Sequence, residues 1–398
     1  MVGFTFIIVA MYLWGKIDNR FDQNLLETFL NKLFTHRFFE SDFVLIEDVD
    51  GSSTPLVVPD ETSTKDSLIN WVHQIKAAQM PSWIGLPNNA EKVLLTERGQ
   101  ELLRKMLKMS DDELAYEEMD SSLQNKLAPS WMVILKDHCQ VWLAELPKEI
   151  CKLRRTKENV KDPIFRFFER EINLGSRLLA EIRRDLTELL EICDGKHKQN
   201  NHTRELISAL VKSKQVPLSW KQYTTPRDVI AHEWMNDLKE RVKQLDRFSR
   251  SNNLRAESVW LGGMFFPEAY ITATRQFVAQ TNGWSLEQLN MHIRAIGNNG
   301  KGVEQGPTNF SLTGLRAVGI NCESPNKIKL TDSIHSEVDK LQFVWTLENQ
   351  KKDEVVSVPV YLYANRAQYL FELYFVPDNF DKFLLSQRGV ALLTNSSL

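Results

Sequence analysis

The chain has 398 residues, with 49 Lys and Arg against 52 Asp and Glu, so its formal net charge is −3 at pH 7. A hydrophobic content of 42% is typical of a folded globular protein and excludes intrinsic disorder as the overall state. Because the near-neutral charge lacks the positive surplus that phosphate backbones select, we expect no nucleic-acid partner. At roughly 100–200 residues per domain, the length predicts two or three domains.

The cysteines and the apolar start bear on the compartment. Four cysteines, Cys139, Cys151, Cys193 and Cys322, form no CxxC pair and are too few to staple the chain, which indicates a reducing, cytosolic environment. Residues 1–14 are almost wholly apolar, but this stretch is shorter than the ~20 residues that a membrane-spanning helix needs. We therefore expect no stable membrane insertion.

The first third of the chain predicts a small helical region. From Asp18 onward, apolar residues recur at intervals of three and four, which indicates an amphipathic helix. Two short strand candidates follow at 43–46 and 56–58, and a second helix is predicted at 63–75. A third helix is predicted at 88–109, with Gly99 as a possible point of interruption. The acidic stretch at 111–120 is interpreted as a solvated linker.

The middle of the chain predicts an antiparallel helical bundle. Its longest helix should begin at Pro163, which suits a first helical turn, and end at Cys193, with Gly195 at the exit. Along this helix one apolar seam repeats at spacings of four and three: Phe168, Ile172, Gly175, Leu179, Ile182, Leu186, Leu189 and Cys193. A further helix is predicted at 226–250, with a buried face of Val229, Ile230, Met235, Leu238, Val242 and Leu245.

After about residue 285 the hydrophobic pattern changes from a helical period to alternation, which is typical of half-buried strands. The clearest alternating sets are Leu341, Phe343 and Trp345; Val356, Val358, Val360 and Leu362; and Phe371, Leu373 and Phe375. Several short strands at this spacing favour a small barrel or sandwich. We therefore predict an α+β fold, in which a helical region and a helical bundle precede a C-terminal antiparallel β-barrel-like subdomain.

Motifs for common chemistries are incomplete in this sequence. The stretch 297–302 has the wrong spacing for a phosphate-binding GxxxxGK[ST] loop, and no Ser or Thr follows Lys301. His232-Glu233 has Asn236 where a zinc-protease helix needs its second histidine. Ser285 has Glu287 where a nucleophile elbow needs glycine, and it is predicted instead to cap a following helix. We therefore assign no catalytic, cofactor-binding or metal-binding residue.

Seven short segments, taken in order along the chain, point to one family. They are GKIDNRFD at 15–22, WIGLPNNAE at 83–91, KDPIFRFFERE at 161–171, WLGGMFFPEAYITATRQ at 260–276, TGL at 313–315, PVYL at 359–362 with Arg366 nearby, and RGVAL at 388–392. Together they resemble the C-terminal region of dynein heavy chains, with the cytoplasmic type as the nearest. The first segment is similar to the lid of the sixth AAA+ module, and the fourth is the most specific.

The resemblance implies an organisation and a set of partners. Residues 1–90 would form part of the sixth module's lid, with 1–12 as an atypical start; residues 91–255 would form the helical part of the dynein C-terminal domain, and residues 256–398 its signature helix and β-barrel part. The family implies a minus-end-directed microtubule motor in which this region lies on one face of a ring of six AAA+ modules. Expected partners are the rest of that ring and other dynein complex subunits, with microtubules contacted only indirectly. ATP and Mg²⁺ would act in the complete motor, and no cofactor is expected in this chain.

Three functional hypotheses follow from the sequence. The first is a structural and regulatory module of a motor, which packs on the ring and performs no chemistry of its own. The second is an independent enzyme with an unrecognised site. The third is a membrane-associated adaptor that uses residues 1–14. Within the first hypothesis, Gly262 and Gly263 are predicted to permit a tight passage from a strand into a helix that begins at Pro267.

Overall fold

The computed structural model describes residues 130–297 without 213 and 226–228, residues 308–331 without 324, and residues 336–347, 355–378, 385 and 388–394. Of the first 129 residues it describes 17, 20–33, 37, 40, 43–46, 56–57, 64–74 and parts of 95–106. The predictions for residues 1–14, for the acidic stretch at 111–120 and for most of the loop at 297–302 lie outside the described residues.

The N-terminal region contains the elements that the sequence predicted. Helix α1 spans Arg20–Leu33, strands β1 (Val44–Ile46) and β2 (Leu56–Val57) pair antiparallel, and helix α2 spans Lys65–Gln74. Helical backbone is also present in the described parts of 95–106, and Gly99 lies within it. Glycine therefore does not interrupt the helix at that point.

Helix α4 (Pro163–Cys193) is the centre of the helical part and has the predicted bounds. The Asp162 side chain accepts a hydrogen bond of 2.8 Å from the Ile164 N–H and caps its N-terminus, and Gly195 leaves its C-terminus with φ of 73°. The predicted seam is buried, apart from Cys193, which is half-buried. Helix α4 packs against α3 (Ser130–Glu145), the short α5 (Asn201–Ile207) and α6 (Ala231–Arg250).

Helix α6 begins later than the sequence predicted. It starts at Ala231, and the preceding Ile230 has extended backbone and is 37% exposed, so its assignment to the buried face was wrong. The other predicted residues of that face, Val229, Met235, Leu238, Val242 and Leu245, are buried. The error arises because the helical period was extended backwards past the first turn.

The C-terminal part contains one long helix and a nine-stranded sheet. Helix α7 spans Pro267–Asn282. The strands are β3 (Ser258–Trp260), β4 (Asn290–Ile296), β5 (Asn309–Val318), β6 (Ile320–Glu323), β7 (Lys327–Leu330), β8 (Ser336–Thr346), β9 (Val356–Tyr361), β10 (Tyr369–Pro377) and β11 (Ala391–Leu393). Their order is β4-β8-β5-β11-β9-β10-β7-β6, and β3 pairs with β5 off this path.

The sheet corrects the prediction of an antiparallel, barrel-like subdomain. Three of its strand pairs are parallel, namely β3 with β5, β11 with β9, and β10 with β7, so the sheet is mixed. Strand β10 approaches β4, but no ladder joins these two described strands and the sheet is not closed. The outer edge of β10 is taken by β7 at its C-terminal end, which leaves β4 as an edge strand.

The helices from α3 onward and the sheet share one hydrophobic core. The buried side chains of both parts form a single contact cluster, whose members range along the sequence from Leu135 in α3 to Leu392 in β11. The alternating positions predicted in the sequence face this core, except that Phe371 is only half-buried. Among the described residues, no helix combines the length and apolar character needed to cross a membrane.

Candidate functional site at the junction of helices and sheet

The most specific sequence segment, 260–276, lies where the helical part meets the sheet. Strand β3 ends at Trp260, a single 3₁₀ turn follows at Leu261–Gly263, and α7 begins at Pro267. The three residues of the turn are buried. We call this region the junction, which comprises the segment 260–266 and the side chains or carbonyls that hold it: Glu171, Asp237, Arg241, Gln244 and Thr394.

The glycines of the junction are required because a tryptophan ring and a backbone carbonyl occupy the space where a side chain would begin. A Cβ on Gly262 would lie 2.4 Å from the Thr394 carbonyl oxygen, and one on Gly263 would lie 2.5 Å from the Trp260 ring. Gly314 of β5 has a φ of 69°, and a Cβ there would also meet the Trp260 ring, at 2.6 Å. The predicted tight passage is therefore confirmed, and Trp260 is its central contact.

Hydrogen bonds tie Trp260 to both sides of the junction. Its backbone N–H donates to Gln244 Oε1 at 2.8 Å, and Gln244 Nε2 donates back to its carbonyl at 3.0 Å, so a side chain of α6 continues the hydrogen bonding of β3. The indole Nε1 donates to the Thr394 carbonyl at 2.6 Å. The Thr394 N–H in turn donates to the Tyr361 carbonyl at the end of β9, at 3.0 Å. One residue thus links α6, β3 and the C-terminal end of the sheet.

A buried ion pair between Arg241 and Asp237 of α6 holds the segment 260–266 at Met264. Arg241 Nε donates to Asp237 Oδ2 at 2.5 Å, Arg241 Nη1 donates to the Met264 carbonyl at 3.2 Å, and both charged side chains are almost fully buried. The guanidinium lies 4.1 Å from the centroid of the Tyr223 ring, whose hydroxyl donates to Asp237 at 3.0 Å. Burial alone would lower the pKa of Arg241, but the neighbouring Asp237, Tyr223 and Tyr363 side chains together raise it, so the guanidinium stays charged.

Glu171 of α4 holds the other end of the same segment. Its carboxylate oxygens accept the N–H groups of Phe265 at 2.6 Å and Phe266 at 3.2 Å, just before α7 begins. The side chain is completely buried, and burial raises its pKa to about 7, although the two N–H groups and Arg170 oppose that rise. Glu171 is therefore an anchor whose protonation changes near neutral pH.

Another buried carboxylate, Asp185, serves a packing role on α4. It accepts the Trp220 indole N–H at 2.9 Å and lies 3.3 Å from His202 Nε2. These contacts tie α4 to the segment 214–225 and to α5. The sequence did not identify Asp185 or Glu171 as structural anchors, although each directly precedes an apolar residue of the predicted seam, Leu186 or Ile172, and Glu171 lies within the KDPIFRFFERE segment.

The described residues that were considered for chemistry lie on different elements. His232 and Glu233 lie in the first turn of α6, and Ser285 precedes a short 3₁₀ turn at Leu286–Gln288. The Ser285 side chain makes no capping hydrogen bond, so the predicted helix cap was wrong. Within the described part of the chain, no group of three His, Cys, Asp or Glu side chains could hold a metal ion.

Comparison with known protein families assigns the junction to one family. The family model for the C-terminal domain of the dynein heavy chain matches residues 96–394, which include the whole junction. The chain belongs to the dynein heavy chain family. A second model, for the AAA lid domain of the dynein heavy chain, matches residues 4–90 and so begins inside the stretch 1–12 for which the sequence showed no counterpart. The junction is therefore a feature of a dynein C-terminal domain.

Three relatives are cytoplasmic dynein heavy chains. The chain is 49% identical over 384 residues to that of Caenorhabditis elegans, covering 96% of this chain and 8% of that protein. The corresponding values are 42% over 405 residues, 96% and 9% for Drosophila melanogaster, and 34% over 373 residues, 90% and 8% for Dictyostelium discoideum. The chain thus spans less than a tenth of the length of these dynein relatives.

Proposed function

We propose that this chain acts as the C-terminal structural and regulatory portion of a dynein heavy chain, in a minus-end-directed microtubule motor of the cytoplasm and cytoskeleton. Its partners would be the rest of the AAA+ ring and other subunits of the dynein complex, and its contact with microtubules would be indirect. Matches to the lid and C-terminal domain models along almost the whole chain support this assignment.

The junction is the observation that carries the regulatory role. The polar anchors on α4 and α6 and the Trp260 contacts fasten the sheet to the helices through buried groups, so a force on one part is transmitted to the other. A body of this kind can bias a conformational equilibrium when it packs on a neighbour, because coupling between sites is typically ~1–3 kcal/mol. Such a bias would tune the force or run length of stepping without supplying the chemistry.

The chain itself is proposed neither to bind nor to hydrolyse ATP. Phosphoryl transfer needs groups that hold the phosphates and Mg²⁺, and the sequence contains no GxxxxGK[ST] loop to provide them. The nucleotide chemistry would belong to other modules of the motor. Titration calorimetry of the 398-residue chain with ATP and Mg²⁺ should give no saturable heat, and micromolar binding would contradict the proposal.

The regulatory role is tested in a complete motor that carries this region. Deleting the segment from residue 256 onward should leave basal ATP turnover while changing the force or run length in single-molecule stepping. A point variant, Trp260→Leu, should change stepping in the same direction because it loosens the junction without removing the sheet. Loss of turnover in a folded motor would mean that the segment supplies a catalytic element, and unchanged stepping would refute a mechanical role.

A further inference from the structure

A small apolar surface lies on the face of the sheet opposite to the main core. Val318, Tyr361, Ala391 and Leu393 form their own buried cluster, and we call these four residues together with Tyr369 the outer patch. Their neighbours in sequence, such as Val360 and Leu392, belong to the main core. Because successive side chains of a strand point to opposite faces, the outer patch faces away from that core.

The outer patch is covered despite its position. Tyr361 is 1% exposed and Leu393 is 3% exposed, values that an open sheet face would not give. Tyr369 at the start of β10 lies at the margin of the patch: its ring packs edge-on against Tyr361 with centroids 6.0 Å apart, and it is 42% exposed. Part of the cover over Tyr361 is the Arg366 guanidinium, which lies 5.8 Å from its ring centroid, whereas the half-exposed Tyr369 ring offers apolar surface for a further contact.

The N-terminal end of helix α1 lies beside the outer patch. Phe21, in the first turn of α1, lies with its ring centroid 6.1 Å from that of Tyr369. Burial raises the pKa of Tyr369 to about 12, and the positive charge of the neighbouring Arg20 opposes that rise. The charge of Arg20 acts in the same way on Tyr374, whose hydroxyl donates to Glu372. The start of α1 thus brings an aromatic ring and a cation to β10.

We propose that the outer patch is a docking surface for α1 of the lid region and that Tyr369 is the side chain that recognises it. The contact joins residues almost at opposite ends of the chain, and a ring pair beside a half-exposed tyrosine is weak enough to open and close. The carbonyl of Tyr361, beneath Tyr369, also accepts the Thr394 N–H, and the Thr394 carbonyl accepts the Trp260 indole N–H. A shift of α1 against Tyr369 would therefore act on the same strands, β9 and β10, that are hydrogen-bonded to the junction through Thr394. This inference rests on the proposed function, because it names the contact through which the sheet would respond to the lid.

The docking is tested in the full chain with a photoreactive benzoylphenylalanine in place of Phe21. Irradiation should give an adduct within the peptides that contain the outer patch, mapped by mass spectrometry. Tyr369→Phe should keep the adduct, and Tyr369→Ala should lower the ratio of docked to undocked chains by about two- to tenfold, the contribution expected of one aromatic pair. Leu347→Ala is the matched control, because Leu347 lies just after the end of β8 in the same sheet and is 43% exposed.

The reciprocal experiment covers the case in which Tyr369→Ala fails to fold. Benzoylphenylalanine at position 369 should give an adduct within 20–33. Adducts scattered along the chain, no adduct in either direction, or an equal loss with Leu347→Ala would overturn the docking. Failure of the proposed motor role is a separate result, because specific cross-linking together with unchanged stepping after deletion from residue 256 would keep the docking and reject the regulation.

Discussion

Replacing Gly262 by alanine tests whether the junction is as tightly closed as its distances indicate. The new Cβ would lie 2.4 Å from the Thr394 carbonyl oxygen and 2.6 Å from Trp260 Nε1, both far inside contact distance. Because the nearest atom belongs to the backbone just after β11, no side-chain rotation can relieve the clash. The substitution must push the C-terminal end of the sheet away from β3.

The expected cost combines two effects. Overpacking a closed site costs about 1–3 kcal/mol. Separation of the Trp260 indole from its carbonyl partner removes a half-buried hydrogen bond, which adds about 1 kcal/mol. We therefore expect Gly262→Ala to lower the free energy of unfolding by about 2–4 kcal/mol, a large share of the ~5–15 kcal/mol that a protein usually has.

The assay is urea unfolding followed by tryptophan fluorescence and by circular dichroism, with Gly99→Ala as the control. Gly99 lies in helical backbone with no atom within 4 Å of the added Cβ, so alanine there should be neutral or stabilising by up to about 1 kcal/mol. An unfolding midpoint for Gly262→Ala equal to that of Gly99→Ala would refute the reasoning, since it would show that the sheet can move aside at no cost.

A double variant separates a side-chain clash from a backbone clash. The atoms nearest to a Cβ on Gly263 belong to the Trp260 ring and to the Gln244 amide, which are side chains. A smaller residue at 260 should therefore relieve part of the damage of Gly263→Ala, so the double variant with Trp260→Leu should lose less stability than the sum of the two single changes. The same Trp260→Leu change should relieve Gly262→Ala much less, because the Thr394 carbonyl stays in place.

Two further predictions concern the buried charges. The pKa of Glu171 is about 7 in the folded state and 4.5 ordinarily, so between these pH values the folded state holds a proton that the unfolded state has lost. The free energy of unfolding should therefore fall by up to about 3 kcal/mol as the pH rises from 4.5 to 7, and should level off above pH 7. The assay is the dependence of the urea midpoint on pH between about pH 5 and 8. Glu171→Gln should remove most of this pH dependence, whereas Glu181→Gln, a half-exposed control on the same helix, should keep it. An unchanged pH dependence in Glu171→Gln would contradict the assignment. Arg241→Met should cost about 3–5 kcal/mol in thermal or urea unfolding because it removes the guanidinium from beside the buried Asp237 carboxylate. Adding Asp237→Leu should recover part of that loss, and a double variant no more stable than Arg241→Met would contradict this explanation.

The sequence by itself determined the local elements and the family. The bounds Pro163–Cys193, the seam along that helix and the alternating strands near 341–345 and 356–362 were correct because period and polarity are properties of neighbouring residues. The glycines at 262 and 263 and the proline at 267 also predicted their own backbone, a tight turn followed by a first helical turn. Local steric rules suffice at such positions.

Only the tertiary structure decided which distant groups meet. The parallel pairs of β3 with β5 and of β11 with β9, the open edge at β4 and the contact of Trp260 with Thr394, 134 residues later, depend on where distant parts of the chain enter the sheet. No pattern of neighbouring residues contains that information. Glu171 reads as an ordinary charged helix residue until the N–H groups that precede α7 are placed against it. The physical reason is that a hydrogen bond or a buried contact needs two groups from different parts of the fold. For Glu171 the second groups are the N–H groups of Phe265 and Phe266, which lie 94 and 95 residues further along the sequence.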